Sequence, residues 1–410
     1  MISEPIFFIA AALVAYGAAS GPLGRSILSA PMAFMLAGLA LGLTGLVDAP
    51  VDSGVLEAFG EVTLGLILFA DAASTNARRL LKDNRLPLRL LLIGLPATIA
   101  LGTGIARLIF PDLSWAACAL IASILAPTDA ALGVAVVSNK AVPERIRQAV
   151  LVESGLNDGL ALPAVLLFAA LAFSGVEAAG HGGGEAARSL AEWLRFAGVQ
   201  IAVGAGVGVV GGGALGWLLV RADDRGLIEH SFRNLTTIGA ALLVLIGAHF
   251  AGGNGFIATF VAGLVFGGFC RKRTGALTEF IEEEGQLFSL LIFFFFGAAL
   301  LPEAIPFMTA ACMTYALLSL TVIRMAPSFL ALTGSGVSAT GKLFIGWFGP
   351  RGLASILFLF VAVEHEEMGR LTQIEAVVYL TVFLSVLLHG ATAAPLSNRY
   401  AASAAASRDG

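Results

Sequence analysis

Apolar residues run along this chain in blocks of about 20, the length that carries a helix across a bilayer core. The blocks fall at residues 5–22, 28–46, 56–74, 87–110, 115–137, 148–174, 193–220, 232–251, 254–270, 285–301, 307–332, 340–363 and 373–395. They predict an all-α polytopic membrane protein with thirteen spans. The short link GGNG at residues 252–255 and the thin first block leave twelve as the alternative count. The polar stretches between blocks are loops, so function must lie within the spans. Glu4 stands where a cleaved leader would carry basic residues, and the first block therefore reads as a retained span. Residues 401–410 are small and polar and read as a disordered tail.

Composition sharpens this picture. The 410 residues are 58% hydrophobic and 13% charged, whereas a soluble domain carries roughly 25% charged residues, so an ordinary soluble protein is excluded. Lipid is the one partner this implies, and nothing points to nucleic acid or a soluble partner. Cys118, Cys270 and Cys312 are scattered without paired or ligand-like spacing and read as small buried hydrophobes.

Lys and Arg alternate from loop to loop. Arg25, the stretches at residues 76–89, 139–147, 221–233 and 271–275, then Lys342, Arg399 and Arg408, all fall on one side of thirteen spans, and the opposite loops are acidic or nearly free of basic residues. Basic loops stay in the cytoplasm, which puts the N-terminus outside and the C-terminus inside.

A charge at the bilayer centre costs at least about 2.5 to 3.5 kcal/mol, so those within spans are functional candidates. They are Asp71, Asp129, Glu153, Asp158, Arg324 and Arg351, with Glu61 nearer the end of its span. In VLVESGLNDGLALP (residues 150–163), helical spacing pairs Ser154 with Asp158 on one face and Glu153 with Asn157 on another. A carboxylate beside a hydroxyl suits a hard monovalent cation, and the second acid is free to pair with an arginine.

Two spans are interrupted at mid-membrane, one at Pro127, Thr128 and Asp129 and the other at Gly349, Pro350, Arg351 and Gly352. Proline removes a backbone donor and clashes with the preceding turn, so both helices are expected to unwind there. The breaks lie seven spans apart and therefore run antiparallel, as inverted transporter repeats require. Asp129 would compensate the positive helix N-termini at such a crossing and Arg351 the negative C-termini, leaving carbonyls near Thr128 for a cation.

The motifs APTDAALG, LVESGLNDG and FGPRGLAS, with GFIATFVAGLVFG and FSLLIFFFFGAAL, resemble monovalent cation/proton antiporters of the NhaP and sodium/proton exchanger type over almost the whole chain. The resemblance implies an NhaA-like fold of two inverted six-helix repeats with two crossing unwound helices. Asp158, preceded by Asn157, would alternately hold a proton and a cation, with oxygens from Thr128 and Ser154 and a further, water-mediated contribution from Asp71. Glu153 would pair with Arg324, and Arg351 is the crossing-helix arginine. Asn before the acid implies electroneutral exchange, sodium or lithium for a proton, one for one. Asp71 departs from the longer Glu of some relatives. No cofactor is implied, the cation and the proton being substrates, and the protein would not be an enzyme. A homodimer is implied, working as an elevator in pH homeostasis at a prokaryotic inner membrane. Residues 1–400 would form one exchanger domain, its core about 56–174, 254–270 and parts of 285–395, its dimerisation helices about 5–46 and parts of 193–251.

Removal from water disfavours an ionised carboxylate, which lets a buried acid trade a proton for a cation. A potassium/proton antiporter is the nearest alternative reading, and an intramembrane aspartyl hydrolase using Asp129 and Asp158 a remote one. The run GVGVVG at residues 206–211 has dinucleotide-loop spacing but sits inside an apolar span, where Gly204, Gly208 and Gly212 suit close helix packing. HGGG at residues 181–184 reads as a loop, and His249 and His389 as structural histidines.

Overall fold

The computed structural model describes residues 3–23, 27–46, 53–74, 85–129, 132, 136, 139–177, 190–270, 274–363 and 372–406. Every regular element among them is helical. In chain order these are α1 (Ser3–Leu23), α2 (Ala30–Leu43), α3 (Ser53–Ser74), α4 (Arg85–Ile109), α5 (Trp115–Ile124), α6 (Glu144–Glu177) and α7 (Leu190–Asp224). There follow α8 (His230–Phe250), α9 (Gly255–Cys270), α10 (Thr274–Phe295, continued by short turns to Phe307), α11 (Ala310–Ala331), α12 (Ala339–Trp347), α13 (Leu353–Val363) and α14 (Thr372–Ala406). Arg25, residues 181–184, residues 271–273, much of the loops around residues 47–52, 75–84 and 364–371, and residues 407–410 lie outside the described residues.

Among the described residues six helices are each long and apolar enough to cross a membrane, and shorter apolar helices accompany them. The chain is an integral membrane protein. Among the described residues fourteen helices stand where thirteen spans were expected, because the block at residues 340–363 is two helices, α12 and α13, with extended chain between them. In the block at residues 115–137, α5 ends at Ile124 and the chain is out of the helix from Leu125 to Asp129. Pro127 and Pro350 account for both exits, since the residue before a proline is pushed out of the helical region. The GGNG link is a true break: Gly252 takes φ +73, a left-handed turn that glycine adopts without penalty, and α8 and α9 are separate. One expectation is corrected at the C-terminus. Residues 401–406 continue α14, as the alanine-rich AASAAA favours.

Three helices widen into π-turns that hydropathy alone does not reveal: Leu90–Gly94 in α4, Phe296–Leu300 in α10 and Ser319–Ile323 in α11. Each contains the carbonyl four residues before a proline, Pro96, Pro302 or Pro327. That carbonyl is the one the proline ring would strike in a regular helix. Widening relieves the clash, and the exits of the first two show it: Leu95 N–H donates to Leu90 O and Leu301 N–H to Phe296 O, five residues back.

Glycine lets neighbouring helices approach to backbone contact. Gly204, Gly208 and Gly212 on α7 lie directly against the backbone around Asn254, Ala258 and Ala262 at the start of and along α9, while Gly206 faces open space. Gly263 and Gly267 bring the other side of α9 against α3. The GVGVVG run is therefore a packing seam, and it wedges α9 between α7 and α3.

Candidate functional site

The two breaks meet. Asp129 N–H donates to Pro350 O at 2.8 Å, so the chain leaving α5 touches the chain leaving α12. Asp129 Oδ2 accepts from Leu353 N–H at 2.8 Å, which seats the carboxylate on the first turn of α13. Free N–H groups and the positive end of the helix dipole favour an acid there. From the other segment Arg351 Nη1 donates to Ala126 O and to Pro127 O, the latter at 2.8 Å, meeting carbonyls that the end of α5 cannot satisfy within the helix. Ser355 Oγ donates to Ile124 O at 3.0 Å, a contact the sequence reading missed, because a serine beside a break looks like any other small residue.

Helix α6 lines this crossing. Ser154 Oγ and Thr128 Oγ1 are 2.9 Å apart, and Asn157 Nδ2 donates to the same Thr128 Oγ1 at 2.8 Å. Helical spacing alone groups Asn157 with Glu153. The structure joins it to Ser154 through Thr128 instead, because Ser154 and Asn157, three residues apart, flank the place where Thr128 arrives. Asp158 follows Ser154 by one helical turn. Thr128, Ser154, Asn157 and Asp158 are all buried. Asp158 Oδ1 and Asn157 Oδ1 have no hydrogen-bond partner, and among the described residues Asp158 enters no ion pair. Such buried acceptors are uncommon in folded proteins.

Glu153 points elsewhere and takes Arg324 of α11 in a two-pronged pair, Nη1 to Oε1 at 2.6 Å and Nη2 to Oε2 at 2.8 Å. Arg324 begins the regular helix just after the π-turn at Ser319–Ile323. Asp71 on α3 is only half-buried, unlike Asp129, Glu153 and Asp158. Glu61 pairs with His249 at 3.3 Å, both partly exposed, so His249 is not solitary. Asn254, also unforeseen, donates through Nδ2 to Gly159 O at 3.2 Å, next to Asp158, and caps α9 by accepting from Ile257 N–H at 3.0 Å.

The family described as sodium/hydrogen exchanger, transmembrane, matches residues 8–399. The chain belongs to this family. Among solved structures it is similar to the sodium proton antiporter MjNhaP1 of Methanocaldococcus jannaschii, with a TM-score of 0.76 at 20% identity over 98% of this chain and 99% of that one. That likeness establishes a common fold. Among sequences, it is 27% identical over 376 residues to the Na(+)/H(+) antiporter ApNhaP of Aphanothece halophytica, covering 88% of this chain and 68% of the relative. It is 23% identical over 292 residues to the K(+)/H(+) antiporter NhaP2 of Shewanella oneidensis, covering 71% and 48%. Against that relative and the Na(+)/H(+) antiporter of Schizosaccharomyces pombe, of which 56% is covered, the chain spans about half the length.

Proposed function

We propose that this family member exchanges a monovalent cation, sodium or lithium, for a proton by alternating access. The observation that carries the reading is Asp158: a buried carboxylate oxygen without a hydrogen-bond partner, one turn from a Ser154–Thr128 hydroxyl pair, beside two helix breaks in contact. Proton and cation compete for that oxygen. A bare carboxylate in the bilayer interior is the costliest state to carry across, so only the loaded forms cross and exchange is obligatory. Thr128, Ser154 and Asn157 supply the remaining oxygens, and Asp71 contributes from the edge. A single acid preceded by Asn157 supports one-for-one, electroneutral exchange. Asp129 and Arg351 serve as charge compensation at the crossing, and Glu153 with Arg324 as a structural pair.

In this reading the chain is a homodimer in a prokaryotic inner membrane, N-terminus outside, working as an elevator in pH homeostasis. Its architecture is thirteen spans in inverted repeats, the α12–α13 pair counting as one. The seating of Asp129 on the Leu353 amide weighs against a hydrolytic dyad with Asp158. Potassium is the second reading, favoured by the name of the Shewanella oneidensis relative.

The test is recovery of a quenched pH dye in everted vesicles on adding sodium, lithium or potassium. Recovery with sodium or lithium is expected. Recovery with potassium alone would transfer the assignment to potassium, and no recovery with any of the three would defeat antiport.

A further inference from the structure

The backbone of the second break can be followed donor by donor. Phe348 N–H reaches Phe344 O at 3.0 Å, Gly349 N–H turns back to Trp347 O at 2.8 Å, Pro350 has no N–H, and Leu353 N–H goes to Asp129. In an unbroken helix Arg351 N–H would also take Trp347 O. That carbonyl is already engaged by Gly349, and an unpaired buried N–H is costly. The acceptor comes from a different helix: Ser385 Oγ of α14 receives Arg351 N–H at 2.7 Å.

Ser385 does not act alone. His389 Nδ1 lies 3.1 Å from Ser385 Oγ and 3.0 Å from Ser385 O. The Ser385 carbonyl can only accept, so His389 Nδ1 carries the proton; shared between Ser385 O and Oγ, that N–H holds the hydroxyl oxygen where it also accepts from Arg351 N–H. The His389 ring packs on Trp347, the last residue of α12, with centroids 4.9 Å apart, and Trp347 Nε1 donates to Thr392 Oγ1 at 3.0 Å. Ser385, His389 and Thr392 are spaced four and three apart, so they form one polar stripe on an otherwise apolar stretch of α14. Ser385 and His389 are both fully buried. The stripe thus faces the end of α12 and the start of the break.

Arg351 is therefore held at both ends, its amide by α14 and its guanidinium by the carbonyls of α5. We infer that Ser385 and His389 are positioning residues for the exchange: Ser385 anchors the Arg351 backbone so that the guanidinium reaches Ala126 and Pro127, and His389 fixes the Ser385 hydroxyl. Part of this inference, the effect on transport, rests on the antiport reading. The anchoring itself does not.

Two measurements on the full chain separate them. Amide hydrogen exchange of the purified protein in detergent reads the anchor. Ser385→Ala should speed exchange of the segment at residues 348–353 about tenfold, the loss of one buried hydrogen bond, with other spans unchanged. His389→Phe, which keeps a ring against Trp347, should speed the same segment less. The double variant should match Ser385→Ala, because both act through one bond. In vesicles each variant should slow cation-driven dye recovery in the same order. An unaltered 348–353 segment in Ser385→Ala, additive effects in the double variant, or wild-type transport despite a loosened segment would each overturn the positioning role. If Ser385→Ala fails to fold, the His389→Phe segment rate decides alone, and a wild-type value overturns the proposal. Absence of transport by the unaltered chain would sink antiport instead and leave the amide result to judge the anchor.

Discussion

Arg324 of α11 and Glu153 of α6 form a buried two-pronged ion pair, both side chains 3% exposed, joining helices 171 residues apart in sequence. Taking both charges out of water is expensive, and the pair is repaid only while both partners stay. Arg324→Met or Glu153→Leu alone should destabilise the protein by about 3 to 5 kcal/mol. The double variant, apolar on both sides, should recover most of that loss. Thermal unfolding in detergent measures it. Equal losses in the single and double variants would mean that the pair does more than neutralise itself.

Asp158 should behave differently from Glu153. Its Oδ1 has no partner to lose, so Asp158→Asn should leave the unfolding temperature unchanged or raised while abolishing cation-dependent dye recovery. Expression, unfolding and transport measured on the same preparation separate the two acids. Normal exchange by Asp158→Asn would remove Asp158 from the mechanism.

The two breaks were legible because proline acts locally: Pro127 and Pro350 deny the helix a donor whatever surrounds them. The buried charges were legible because each is costly in lipid. What a helical wheel does not contain is the position of a partner. Asn157 was placed with Glu153 because spacing orders residues only about their own axis, and the arrival of Thr128 between Ser154 and Asn157 decides the grouping. The π-turns escaped for a related reason: adding one residue to a turn leaves an apolar block apolar, although Pro96, Pro302 and Pro327 mark where the strain falls. Ser385 and Ser355 have no sequence signal beyond being polar inside a span, and their importance comes from the chain that lands on them.

Asp129 and Gly352 should act as a unit. A Cβ at Gly352 would overlap the Asp129 carboxylate, which is seated on Leu353 N–H. Asp129→Ala removes a helix N-terminal acceptor and should cost about 1 to 2 kcal/mol. Asp129→Asn keeps the acceptor and should cost less. Gly352→Ala should reproduce most of the Asp129→Ala loss by displacing the carboxylate, and the double variant should fall short of the sum. Unfolding temperatures of the four variants check this, and strict additivity would show that the glycine is needed for its backbone alone.

The seam between α7 and α9 makes neighbouring glycines opposite in effect. A side chain at Gly208 would run into the Ala258 carbonyl and Val261, whereas one at Gly206 meets nothing within 4 Å. Gly208→Val forces two backbones apart and should destabilise by about 1 to 3 kcal/mol, the cost of overpacking. Gly206→Ala should be neutral or stabilising by about 0.5 to 1 kcal/mol, because alanine favours the helix and nothing obstructs it. Comparing unfolding temperatures of Gly206→Ala and Gly208→Ala keeps the chemistry constant and changes only the face. Since α9 also carries Asn254, whose amide meets Gly159 beside Asp158, Gly208→Val should slow dye recovery as well. A harmless Gly208→Val would mean that α7 and α9 are free to separate without disturbing the carboxylate helix.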